Sequence, residues 1–183
     1  VARFVKQGSV IDQEASERGT SVYFTQKVIP MLPEVISNDL CSLRPNEDKF
    51  CLVCKTIVDK NGNLINSTFF EAKINSKARL TYEKLSKDIE QNKLNETYAK
   101  SIKNLLEIYK RLKSNKDHRG ALELEVPFYV PKFKENKITK FFSSPRTISH
   151  MMVEEFMLAA NIATAEICLK LNMPCLFRVH PKP

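Results

Sequence analysis

The sequence has no run approaching the 18 or so apolar residues of a membrane helix, which excludes a helical membrane span. Its start, Val1-Ala2-Arg3-Phe4-Val5-Lys6, has no apolar stretch behind its charges and does not read as a secretory signal. No Met opens the chain, as expected of a fragment or a processed protein. Internal repeats, low-complexity tracts and linkers are absent too, so the 183 residues read as one domain, long enough to bury a core. Five cysteines, an odd number without a secretory signal, argue for reduced thiols and a cytoplasmic location rather than a disulfide framework. Cys51-Leu52-Val53-Cys54 has zinc-like spacing but no second pair, and zinc needs about four converging ligands. On a strand, that odd offset sends the two thiols to opposite faces. Cys41, Cys168 and Cys175 have apolar neighbours and read as small core residues.

The apolar fraction of 43% is ordinary for a globular domain. Lys and Arg exceed Asp and Glu by 29 − 21 = 8. That excess suits a polyanion such as RNA, and it equally suits a solvated surface.

The pattern along the chain is mixed α/β (α+β), mostly antiparallel strands with packed helices. Val1–Val5 reads as a short strand, 11–18 as a polar helix stopped by Gly19, and 20–24 as β. Pro30 and Pro33 impose an irregular path. Residues 50–58 and 64–74 are β-rich and flank Lys60-Asn61-Gly62, a strong hairpin signal. Helices are expected at 78–90 and 96–113, the second with Ile102, Leu105, Leu106, Tyr109 and Leu112 on one face and its lysines in solvent. A hairpin is expected from 122–130 and 138–142, then a long helix 147–171 and a last strand 176–180.

On the long helix, at about 100° per residue, His150, Glu154, Asn161 and Cys168 form one stripe opposite Met152, Phe156, Ala160, Ala163 and Ile167. A polar stripe on a core helix is either a satisfied buried network or the lining of a cleft. His150 and Glu154 at this spacing also suggest metal ligation, weakly, because a third ligand is missing. Tyr23 offers a π-face for a base, or is a strand aromatic beside Phe24.

Several segments carry a family resemblance. Arg18-Gly19-Thr20-Ser21-Val22-Tyr23-Phe24 is followed by Val28-Ile29-Pro30-Met31-Leu32-Pro33 and Ser37-Asn38-Asp39-Leu40-Cys41-Ser42-Leu43. Further on stand Ser76-Lys77-Ala78-Arg79-Leu80-Thr81-Tyr82 and Val153-Glu154-Glu155-Phe156-Met157-Leu158-Ala159-Ala160-Asn161, the latter preceded by Arg146 and His150. In this order they resemble the catalytic (RNB) domain of the ribonuclease II and ribonuclease R family, and 1–183 reads as its central portion, truncated at both ends. The resemblance implies a 3′–5′ exoribonuclease that hydrolyses single-stranded RNA to nucleoside 5′-monophosphates. It also implies Mg²⁺ held by aspartates that lie before Val1, outside this chain. The fragment alone is then expected to be inactive, with no metal ligands of its own.

The family pattern places Tyr23 against the 3′-terminal base and Glu154 beside the terminal nucleotides, with Glu155 as the fallback. It puts Tyr82 near the active site, though a plain helix-start aromatic is the other reading. Arg79 or Lys77 would neutralise phosphate, and Arg18 and Gly19 would shape the turn before Tyr23. His150 and Asn161 would line the RNA path. Leu124 stands where bacterial members often carry a phenylalanine that closes the base clamp; leucine supplies apolar area without a π-face. Thr147-Ile148-Ser149-His150 is nearer the ribonuclease II style and Arg18–Tyr23 nearer ribonuclease R, so the subtype stays open. Implied partners are single-stranded RNA and RNA-degradation machinery, with no membrane. The rival reading is a non-catalytic RNA-binding accessory module of RNA degradation.

Overall fold

The computed structural model describes residues 1–121, 128–135 and 137–179. It mixes helices with antiparallel strands, and the chain divides into two compact units.

The first unit comprises Val1–Leu52, Glu71–Arg79 and Tyr129–Phe142. Helix α1 (Val10–Arg18) starts where the Ser9 side chain accepts the Asp12 N–H and ends at Gly19, whose φ of 67° lets its N–H reach the Ala15 carbonyl. Strands β1 (Val22–Tyr23) and β2 (Val28–Ile29) pair antiparallel, Val22 opposite Ile29 and Tyr23 opposite Val28. A π-helix, Val35–Leu40, follows the prolines. Val1–Val5 is not the expected strand: the Val1 carbonyl accepts the N–H groups of Phe4 and Val5, closing a turn. β-rich composition makes a strand only where a partner strand completes the hydrogen bonds. Strands β5 (Phe128–Lys134) and β6 (Lys137–Ser144) form the later hairpin. The part of that prediction covering 122–127, which includes Leu124, lies outside the described residues.

Strands β3 (Asp48–Val58) and β4 (Leu64–Asn75) form the central ribbon, whose turn half belongs to the second unit. The turn is built on Asp59. Its Oδ1 accepts the N–H groups of Asn61 and Asn63, both at 2.8 Å. The Asn63 side chain donates to Oδ2 at 3.0 Å, and that bond, followed by the backbone ones, holds the Asp59 carboxyl below its usual range.

The second unit comprises Val53–Phe70, Leu80–Phe128 and Ser143–Pro183. It holds α2 (Tyr82–Glu90), α3 (Glu96–His118) and α4 (Ile148–Lys170). Helix α4 packs on both α2 and α3 around Leu85, Ile102, Tyr109 and Met152. The long helix and the apolar face of α3 therefore fall where the 3.6-residue period puts them. Helix α2 starts at Tyr82 rather than at Ala78, because Thr81 is extended at its N-cap. Helix α3 runs five residues past the expected Lys113, to His118. Residues 173–179 form no strand, and Cys175 is exposed rather than a core thiol.

Small residues bring α2 and α4 close. Ser86 and Ser149 are 3% and 1% exposed, and their hydroxyl oxygens lie 2.7 Å apart. The Ser149 N–H also donates to Ser86 Oγ. Ser86→Ala strands a buried hydroxyl and is expected to cost about 1–3 kcal/mol. In urea unfolding, Ser86→Ala/Ser149→Ala should cost less than the sum of the two single changes; strict additivity would show that the pair does not interact.

Candidate functional site

In the first unit the α1–β1–β2 arrangement presents Tyr23. Arg18 Nε donates to Glu14 at 2.7 Å, and its Nη1 donates to the Pro30 carbonyl at 3.1 Å. The Met31 N–H donates to Ser21 Oγ at 2.9 Å, and the Phe24 N–H to the Lys27 carbonyl at 2.8 Å. The motif's polar residues thus brace the turn, and Tyr23 is left 77% exposed. Arg18 is held as a brace rather than held out to a phosphate. Lys77 and Arg79 are exposed, with Lys77 Nζ donating to Asn75 Oδ1.

In the second unit Tyr82, His150 and Glu154 come together around the start of α4. The Tyr82 and His150 rings stack, with centroids 4.0 Å apart and planes 16° from parallel. His150 Nδ1 accepts the Thr147 N–H and lies 2.8 Å from Thr147 Oγ1, completing a capping box in which histidine replaces the usual Glu or Gln. Accepting at Nδ1 puts the neutral imidazole's proton on Nε2. Glu154 is paired with Arg146, and both side chains are about two-fifths exposed. Asn161, about two helical turns further along, is exposed.

The two adjacent glutamates have opposite surroundings. Glu155 is 6% exposed, and its carboxylate meets Lys116 Nζ of α3 at 2.8 Å. Lys116 escaped the sequence reading, which ended α3 too early and gave its lysines to solvent. No local signal could find it, since its partner lies 39 residues away. Glu155 also borders a cavity of about 450 Å³, with Asn115 of α3, Arg119 at the end of α3, Glu166 of α4 and the turn residues Gly62 and Asn63. Tyr82, His150, Glu154 and Asn161 do not line it.

Among the described residues, no three His, Cys, Asp or Glu side chains converge to hold a metal ion. His150 is committed to its cap and Glu154 to Arg146, so the histidine–glutamate pair does not fit as a metal site. No described helix is long and apolar enough to cross a membrane.

The family model described as the RNB domain matches residues 1–183. The chain belongs to the RNB domain family. Ribonuclease R of Vibrio parahaemolyticus is 42% identical over 100% of this chain, which covers 22% of that protein. Ribonuclease R of Escherichia coli K12 is 41% identical, again over 100% of this chain and 23% of its own length. Among solved structures, Mycoplasma genitalium RNase R in complex with ribose methylated single-stranded RNA superposes with a TM-score of 0.93 at 28% identity, over 100% of this chain and 29% of that one. This RNB chain therefore spans under a quarter of the length of the two bacterial relatives.

Proposed function

We propose that the protein carrying this RNB domain is a 3′–5′ exoribonuclease that hydrolyses single-stranded RNA to nucleoside 5′-monophosphates. The observation that carries this reading is the match to the RNB family over the whole of 1–183, with ribonuclease R relatives above 40% identity. Within it, Tyr23 is the base platform, and Tyr82, His150 and Glu154 support the 3′-terminal nucleotides. The exposed ring of Tyr23 and the outward carboxylate of Glu154 favour those roles. Lys77, Arg79 and Asn161, all exposed, are proposed RNA contacts, and Leu124 the apolar wall of the base stack. The metal is proposed to be Mg²⁺, held by residues outside this chain. Cysteines without disulfide partners favour the cytoplasm, where RNA-degradation machinery is the expected company.

A 5′-labelled single-stranded RNA incubated with Mg²⁺ tests the reading on a denaturing gel. The full-length protein is expected to give a ladder shortening from the 3′ end, and residues 1–183 alone an unchanged band. A ladder from 1–183 alone would mean that the metal is held within this chain. RNA bound but never shortened by the full-length protein would replace the enzyme with an accessory RNA-binding module.

A further inference from the structure

We infer that Cys168 and Cys175 form a redox pair: a low-molecular-weight disulfide such as oxidised glutathione converts their two thiols into an intramolecular disulfide, which ties the chain leaving α4 back onto the helix. The inference concerns a modification site and stands apart from the exoribonuclease reading.

The end of α4 brings the two residues together. The Asn172 backbone is left-handed, with a φ of 52°. The Met173 N–H donates to the Cys168 carbonyl at 2.9 Å, and the Asn172 N–H to the Leu169 carbonyl at 3.2 Å. These are the two hydrogen bonds of a Schellman turn, which folds the departing chain back over Cys168. Pro174 then stiffens the step to Cys175. The side chains meet there, with the Cys168 thiol in hydrogen-bond contact with Cys175. The Cys175 thiol in turn lies 3.9 Å from the Leu176 carbonyl. Burial, and then the contact with Cys175, push the Cys168 thiol above its usual range, so it is held as the neutral thiol.

The two thiols differ in access. Cys168 is half-buried and Cys175 is exposed, so Cys175 is the thiol that the oxidant meets. Its thiolate attacks one sulfur of the small disulfide, whose S–S bond breaks. One small thiol leaves, and Cys175 carries the other half as a mixed disulfide. Cys168 then gives its proton to water and attacks the Cys175 sulfur, displacing the second small thiol. The protein's two thiols are oxidised to one S–S bond, and the small disulfide is reduced to two thiols. In a reducing compartment the pair stays a dithiol until the small disulfide accumulates. Closing the bond displaces only exposed chain: Met173 and Leu176 are 53% and 102% exposed, so little packing resists it.

Trypsin cuts after Arg146, Lys170 and Arg178, so the two cysteines fall in separate peptides, 147–170 and 171–178. The full-length protein is incubated with oxidised glutathione, its remaining thiols are blocked with iodoacetamide, and the digest is read by mass spectrometry without reduction. The expected product is the two peptides joined, lighter by the pair of hydrogens removed and separated again by dithiothreitol. In Cys168→Ser, Cys175 should stop at the mixed disulfide with glutathione. In Cys175→Ser, Cys168 should stay free and be alkylated. Amide hydrogen exchange across 171–178 should slow several-fold in the oxidised wild type and in neither variant, because only the cross-link fixes that chain. Three results overturn the inference: both thiols alkylated after oxidation of the wild type, Cys175 stopping at the mixed disulfide although Cys168 is present, or links from Cys175 to Cys41, Cys51 or Cys54 as frequent as the link to Cys168. If the serine variants do not fold, the wild-type cross-link decides alone, its presence supporting the pair and its absence defeating it.

Discussion

Tyr23→Ala in the full-length protein is expected to weaken binding of single-stranded RNA about 5- to 150-fold, the equivalent of losing roughly 1–3 kcal/mol of base stacking. The melting temperature should hold, because a ring that is 77% exposed contributes little to the core. The strand beneath it is fixed by its pairing with β2 and by the Arg18 contact to Pro30, so the ring is presented with little entropy left to lose on binding. Tyr23→Phe keeps the π-face and should bind within a few-fold of wild type. Phe24, 60% exposed, is the internal control. Phe24 lies past the end of β1, with its N–H closing the turn onto the Lys27 carbonyl, and no base is assigned to its ring. Phe24→Ala should therefore leave binding nearly intact. Fluorescence anisotropy with a labelled oligonucleotide, without divalent metal, measures all three. A Tyr23→Ala protein that binds as tightly as wild type would remove Tyr23 from the RNA path.

The elements legible in the sequence are those whose determinants are local. Helix α4 declares itself by an apolar period between Pro145 and Asn172, with Thr147 at its cap, and spans Ile148–Lys170 against an expected 147–171. The β3–β4 ribbon is announced by alternating β-branched and aromatic residues around Asn61-Gly62. What failed depends on distant partners. Val1–Val5 and 176–180 have strand composition, and composition does not reveal whether another strand lies alongside. Ala78–Leu80 has reasonable helix propensity, but Ser76 bridges to Pro45 and Thr81 is extended, which delays α2 to Tyr82. Helix α3 continues through Ser114–His118, a poor helix-forming stretch, because Asn115 and Lys116 are tied to the β3–β4 turn and to α4. The site divides the same way. The His150–Glu154–Asn161 stripe follows from helical spacing alone. The inward turn of Glu155 follows from a lysine on another helix.

The largest stability loss is expected at Gly62. Its φ of +81° is a left-handed conformation, in which any Cβ is strained by about 1–2 kcal/mol. A Cβ there would also sit 2.2 Å from the Arg111 carbonyl oxygen and 2.9 Å from Asn115 Cβ. The obstruction is the backbone of α3, which cannot rotate away as a side-chain tip can. Gly62→Ala must therefore lift the β3–β4 turn off α3. That movement stretches the bonds from Asn115 Nδ2 to the Asn61 carbonyl and to Asn63 Oδ1, at 3.2 and 2.7 Å. Strain and overpacking together are expected to cost about 2–5 kcal/mol, or very roughly 5–20 °C in melting temperature for a chain of this size. Gly19→Ala separates the two causes. Its φ is +67°, but nothing lies within 4 Å of the added Cβ, so only the backbone strain remains. It should cost about 1–2 kcal/mol. Thermal unfolding of both variants beside the wild type measures the difference. Equal losses at the two glycines would mean that the turn does not press on α3. A deeper loss at Gly62 would show the turn of the ribbon clamped to α3 through the Arg111 carbonyl and Asn115.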